Sequence, residues 1–296
     1  MCTNSSDIKR QVDSSAHLPP WLKRPIAFSG RQNNVKDFVH YSGLHTVCIE
    51  AKCPNRGECY SKGIATFLIM GTVCTRNCSF CNVEHGKPAP LDPDEPFKIV
   101  AAAKKLHLKH VVITSVTRDD LPDGGASFYA SIVTLLRKEL PEVTVELLIP
   151  DFGGKPEALE SVLETKPDVL NHNMETVERL YPQIRSNAVY SRSLTLLKNA
   201  SSYGLTTKSG IMVGLGEKQE EVLKTMEDLR AHGCSILTIG QYLRPSKNQV
   251  PVTEFIHPDQ FAFYAEGGHK MGFKNVFSGP YVRSSYRAEE ILKQSV

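Results

Sequence analysis

From residue 65 onward, short apolar runs alternate with longer amphipathic ones. Ala65-Thr-Phe-Leu-Ile-Met70 is an apolar run ended by Gly71, the pattern of a buried strand. Further runs predict strands over 110–115, 143–149, 168–172, 206–213, 235–241 and 274–277. Between them, apolar residues recur at helical spacing. A helix over 96–107 carries Phe97, Val100, Ala103 and Leu106 on one face. A helix over 126–139 turns Phe128, Ile132, Leu135 and Leu136 inward. Others follow over 155–164, 189–203, 218–232 and 258–271, the last three stopped by Gly204, Gly233 and Gly272. Near-continuous apolar strands alternating with amphipathic helices imply a parallel α/β sheet covered by helices, in about six or seven units. An open doubly wound sheet and a full or partial barrel both fit, and periodicity does not choose between them. In a barrel the chemistry sits at the carboxyl ends of the strands.

Residues 1 to about 45 are polar and irregular, interrupted by Pro19, Pro20 and Pro25, with the single tryptophan, Trp21, among them. They read either as a tail pinned by one aromatic or as an arm that covers a site. At 296 residues the chain suggests one large decorated domain or two modest ones, and it needs no disulfides for stability. A net charge of +3 without basic runs argues against nucleic acid as the main partner. No apolar stretch reaches the roughly 18 residues of a membrane span. The segment Met1 to Ser15 has no apolar signal core. The expectation is a soluble cytoplasmic protein that does not engage a membrane.

The eight cysteines change this bland picture. They are Cys2, Cys48, Cys53, Cys59, Cys74, Cys78, Cys81 and Cys234, and six fall between positions 48 and 81. In a reducing compartment such clustering points to metal or catalysis rather than to disulfides. Cys74-Thr-Arg-Asn-Cys78-Ser-Phe-Cys81 follows the first predicted strand and can turn three thiolates towards one centre. A 4Fe–4S cluster takes four ligands, so three cysteines leave one iron open to a small molecule. Zinc, with His85 as fourth ligand, is the other reading. Cys48-Ile-Glu-Ala-Lys-Cys53-Pro-Asn-Arg-Gly-Glu-Cys59 is a second compact triplet. The alternative is one cluster shared by all six cysteines. Cys2 and Cys234 have no partner spacing, and Cys234 reads as a small buried filler.

The CxxxCxxC spacing, with Phe80 before its last cysteine, resembles the radical S-adenosylmethionine (SAM) signature. The double triplet resembles the lipoyl synthase family, in which CxxxxCxxxxxC shortly precedes CxxxCxxC. Thr46-Val-Cys48, Cys53-Pro-Asn55, Ala65-Thr-Phe67 and His85-Gly-Lys-Pro88 agree with it. The likeness runs from about residue 17 to 288, and Ile49 departs from it where an acidic residue is expected. Arg283-Ser-Ser-Tyr286 matches the family's C-terminal motif, in which a serine is the fourth ligand of the auxiliary cluster. By position this is Ser285, with Ser284 as the fallback. Oxygen is a harder ligand than thiolate, so it can release when a cluster comes apart.

The resemblance implies a partial (β/α) TIM-type barrel over 61–280. An extension over 1–60 would carry the auxiliary ligands, and a segment over 281–296 would close one mouth. It implies two 4Fe–4S clusters, one on Cys74, Cys78 and Cys81 that binds SAM, the other on Cys48, Cys53, Cys59 and Ser285. SAM cleaved by one electron would give a 5′-deoxyadenosyl radical that removes hydrogen from a protein-bound octanoyl-lysine. The auxiliary cluster would then donate sulfur at carbons 6 and 8. The implied partners are an octanoylated lipoyl-carrier domain or peptide, an electron donor such as a ferredoxin or flavodoxin, and an iron–sulfur carrier protein. Candidate SAM contacts are Gly124 and Gly125 before a helix, Asn171 and Asn173 at a strand end near Glu175, and Arg192 for a carboxylate. Gly214 and Gly216 form a loop without the GKS/GKT ending of a phosphate site. Gln241 to Pro245 would help shape a substrate tunnel. A methylthiotransferase would need a further RNA-binding domain, biotin synthase lacks the first triplet, and a two-cluster electron carrier would not need a barrel.

Overall fold

The structure is a computed structural model and describes residues 18–23, 39, 41–61 and 66–285. Its centre is a sheet of eight strands among the described residues, in the order β1-β2-β5-β6-β7-β8-β9-β10. These are β1 (His45–Thr46), β2 (Thr66–Ile69), β5 (His110–Ser115), β6 (Thr144–Leu148), β7 (Val169–Asn171), β8 (Thr206–Val213), β9 (Ile236–Gln241) and β10 (Asn275–Gly279). Strands β2 to β10 of this sheet pair in parallel, and β1 adds antiparallel to the outer edge of β2. Among the described residues no ladder joins β10 back to β2, so the barrel is partial. Two more short strands, β3 (Val73–Cys74) and β4 (Glu84–His85), pair separately.

Each step between the parallel strands is a helix: α3 (Glu95–Lys105), α4 (Ala126–Glu139), α5 (Pro156–Leu163), α7 (Tyr190–Ser202), α8 (Gln219–Ala231) and α9 (Pro258–Lys270). The extension holds α1 (Val47–Glu50) and α2 (Arg56–Ser61), and α6 (Tyr181–Ile184) lies between β7 and α7. The strand and helix positions follow the apolar rhythm closely. One residue does not: Phe97 is 62% exposed, while α3 buries Val100 and Ala103 of the expected face together with Ile99 and Ala102. In α4 the buried line is Tyr129, Ile132, Val133 and Leu136, with Phe128 and Leu135 at its flank.

The barrel interior also buries charge. Lys208 of β8 pairs with Glu146 of β6 at 2.9 Å, both side chains fully buried. Asn171 of β7 donates to the same carboxylate, and His110 of β5 lies 3.5 Å from it. Desolvation would raise the Glu146 carboxyl, but Lys208 and the hydrogen-bonding neighbours hold it down at about 2. A pair this deep contributes little net stability, but losing one partner strands a buried charge. Cys234 is fully buried, as a small filler would be. Among the described residues no helix is long and apolar enough to cross a membrane. Cys2, Tyr286 and most of the N-terminal arm lie outside the described residues.

Candidate functional site

The loops at the carboxyl ends of β2, β5, β7 and β9 enclose one cavity of about 360 Å³. All six clustered cysteines line it, and so do Arg283, Ser284 and Ser285. Cys74 ends β3, and Cys78 and Cys81 follow in a turn. That turn is tied down on every side. Thr75 N–H donates to the Thr117 carbonyl after β5, and Ser79 N–H to Ile184 at the end of α6. Gln249 Nε2 donates to the Cys81 carbonyl from the segment after β9. Cys48 sits on α1, Cys53 in the turn after it and Cys59 on α2. That turn closes with Lys52 in left-handed backbone, and Cys53 N–H donates to the Cys48 carbonyl. Asn82, next to Cys81, donates to the Glu50 carbonyl at 3.0 Å and so stitches the two triplets together.

The donor chemistry of the CxxxCxxC loop fits an iron–sulfur cluster. Backbone N–H groups of Arg76 and Thr117 approach Cys74 Sγ at 3.4 and 3.2 Å, and Val83 N–H approaches Cys81 Sγ at 3.4 Å. Such contacts favour thiolate over thiol. Burial works the other way: it pushes the Cys48 and Cys81 thiols up to about 12 and also raises Cys78. A thiol this reluctant to ionise alone loses its proton to solvent as a metal takes its place on sulfur, so loading and deprotonation are one event. Beneath Cys48, Tyr60 and Thr46 are buried and share a 2.8 Å hydrogen bond.

Arg76, inside the CxxxCxxC loop, spends its guanidinium on two carboxylates. It grips Asp119 with two bonds, 2.7 and 2.8 Å, and Asp151 with one of 2.6 Å. Asp151 also accepts from Arg192 at 3.1 Å and from Gly153 N–H. Arg76 and its neighbours hold the Asp151 carboxyl at about 2 despite burial. This network anchors the cluster loop to the loops after β5 and β6. Arg76 and Asp151 carried no signal in the sequence beyond their charge.

The predicted SAM contacts separate in space. Asn173 lines the cavity with Glu175, while Asn171 points to Glu146 in the interior. Arg192 pairs with Asp151 and is not part of the cavity wall; the arginines there are Arg185 and Arg283. Arg185 donates to the Asn173 and Met174 carbonyls. Gly124 and Gly125 do not line the cavity, and both are in left-handed backbone. A Cβ on Gly125 would push aside the end of the Met70 side chain, and the φ of 89° there favours glycine. Gly214 N–H and Leu215 N–H are taken by the Glu217 carboxylate, which leaves no phosphate cradle there. Tyr242, Leu243 and Pro245 do reach the cavity. His172, between the two asparagines, is buried and bonded to Ile149 O and Ser193 Oγ; burial and then Arg185 lower it to about 4.

A partial β/α barrel with three cysteines in a CxxxCxxC loop at its mouth defines a radical SAM protein, and the Radical SAM superfamily model matches residues 68–229. The fold agrees with solved structures. SuiB of Streptococcus suis bound to S-adenosylmethionine aligns with a TM-score of 0.57 at 12% identity, over 76% of this chain and 54% of that longer one. A methylornithine synthase aligns with a TM-score of 0.52 at 13% identity, over 87% and 85%. Within that class the chain belongs to the lipoyl synthase family. It is 56% identical to the lipoyl synthase of Caldanaerobacter subterraneus over 92% of this chain and 95% of that one. It is 51% identical to that of Rubrobacter xylanophilus over 95% and 88%.

Proposed function

We propose that the chain inserts two sulfur atoms, at carbons 6 and 8, into an octanoyl-lysine presented by a lipoyl-carrier domain or peptide. The observation that carries this reading is the single cavity lined by both cysteine triplets and the C-terminal serines. Cys74, Cys78 and Cys81 would hold a 4Fe–4S cluster with one iron left for SAM. Cys48, Cys53 and Cys59 would hold the auxiliary cluster, with Ser285 as fourth ligand. Ser284 already accepts from Asn173 Nδ2 at 2.6 Å, which favours Ser285 for the iron. Bound there, the clusters and SAM would supply one-electron SAM cleavage and the sulfur atoms.

The chain's own residues supply position and dryness. Val47, Leu68, Val116, Leu148 and Met212 make an apolar wall suited to an octanoyl chain. Exclusion of water protects a carbon-centred radical until sulfur reaches it. Of the predicted SAM contacts, Asn173 with Glu175 is best placed, because both face the cavity. Gly124, Gly125, Asn171 and Arg192 would act from outside it, through the loops they brace. The extension over 1–60, the barrel over 61–280 and the closing segment over 281–296 are the working parts of this reading. Electrons from a ferredoxin or flavodoxin, and repair by an iron–sulfur carrier protein, complete it in the cytoplasm.

The test is iron and acid-labile sulfide per chain after anaerobic reconstitution. About eight irons are expected for the intact chain, and about four for Cys53→Ala or for Cys78→Ala, the count for one 4Fe–4S cluster. Loss of all iron from either variant would mean one shared cluster instead.

A further inference from the structure

We propose that Asn55 and Tyr281 are positioning residues: they clasp the C-terminal segment over the first cysteine triplet and so present Ser285 to the iron held there. This rests on the assignment of Ser285 as an iron ligand made above.

Asn55 lies between Cys53 and Cys59 and is only 2% exposed. Its Nδ2 donates to the Tyr281 carbonyl at 2.7 Å, across 226 positions of sequence. Tyr281 Oη in turn donates to the Leu22 carbonyl at 2.6 Å. Leu22 is buried, and its neighbour Trp21 meets the His257 ring edge-on at 4.9 Å, just before α9. Three segments remote in sequence, the N-terminal arm, the triplet and the C-terminal segment, therefore meet at one residue pair.

The seat of that segment on the barrel is shaped for close approach. A Cβ on Gly240 of β9 would strike the Val282 carbonyl, and one on Gly210 of β8 would stand 3.2 Å from Ser284 Oγ. Asn173 then holds Ser284 from β7's end. Residues 281 to 284 are thus fixed at both ends and below, and Ser285 follows directly at the cavity wall. A serine oxygen is a poor match for iron compared with thiolate. Its retention depends on being held at high effective concentration, which the clasp supplies without touching the metal.

The experiment measures iron release to a chelator, anaerobically, from the reconstituted full chain. The phase missing in Cys53→Ala belongs to the first triplet. Ser285→Ala sets the rate without the oxygen ligand. Asn55→Ala is expected to speed this phase about tenfold, the effect of one hydrogen bond of roughly 1.4 kcal/mol. The Asn55→Ala/Ser285→Ala double variant is expected to release no faster than Ser285→Ala, and the other phase to stay unchanged. Tyr281→Phe, which removes one hydroxyl, gives the same reading where Asn55→Ala folds poorly. A fast Ser285→Ala with Asn55→Ala and Tyr281→Phe at the unaltered rate would overturn the clasp alone. Multiplying effects in the double variant would overturn it too. An unaltered rate in Ser285→Ala would overturn the serine ligand and the clasp together.

Discussion

Replacing Arg76 with methionine removes the guanidinium that ties the CxxxCxxC loop to two carboxylates. Asp119 is 38% exposed and rehydrates at little cost, whereas Asp151 has a fully buried side chain. After the change Asp151 keeps one bond from Arg192, itself one-third exposed, and one from Gly153 N–H. Breaking a buried ion pair by deleting one partner costs about 3–5 kcal/mol, and the surviving Arg192 contact places this case near 3 kcal/mol. At about 2.1 cal/mol/K of unfolding entropy per residue, that lowers Tm by roughly 5 °C for a chain of this length. The assay is urea unfolding and thermal melting of the metal-free chain for Arg76→Met, Asp151→Asn and the pair. The double variant is expected to recover at least half of the loss, because it leaves no orphaned carboxylate. A loss below about 1 kcal/mol in Arg76→Met, or a double variant as unstable as the single, would refute the reasoning.

Lys208→Met strands Glu146 in the barrel interior; a destabilisation of about 3–5 kcal/mol is expected, largely relieved by adding Glu146→Gln, as read by urea unfolding. His172 is held at about 4, below its usual 6.5, so between those pH values the unfolded chain binds more protons than the folded one. Stability therefore falls as pH drops through that window, by about 3 kcal/mol at pH 4, and His172→Asn flattens the slope. The buried carboxylates Glu146 and Asp151 are held near 2, below their ordinary 4.5 and 3.8, so the stability they contribute is lost progressively as pH falls from those values towards 2. Gly240→Ala is expected to push back the C-terminal segment at a cost of about 1–3 kcal/mol and to speed iron loss from the first triplet as Ser285→Ala does.

The alternation of parallel strands and helices was legible because these elements are long enough to show a period, whereas the barrel came only from the family resemblance. The run 206–213 coincides with β8, and 126–139 with α4. Two-residue strands such as β1 and β3 carry no period and went unseen. Phe97 fitted a helical face but lies on its wet side, since the apolar positions of α3 admit two overlapping faces and packing picks Ile99 and Ala102. The cysteines announced themselves by spacing and by their cost if unused. The residues that brace them did not: Arg76 and Asp151 sit 75 positions apart, and either alone reads as a surface charge. Asn55 was visible only as part of a family motif, and its bond to Tyr281 exists only in three dimensions.

The most direct test of the central claim is a single turnover of the anaerobically reconstituted chain with SAM, dithionite and an octanoyl-lysine peptide, followed by mass spectrometry. The account predicts a peptide that has gained two sulfurs in place of two hydrogens, with methionine and 5′-deoxyadenosine released. Cleavage of SAM with no sulfur in the peptide would contradict it.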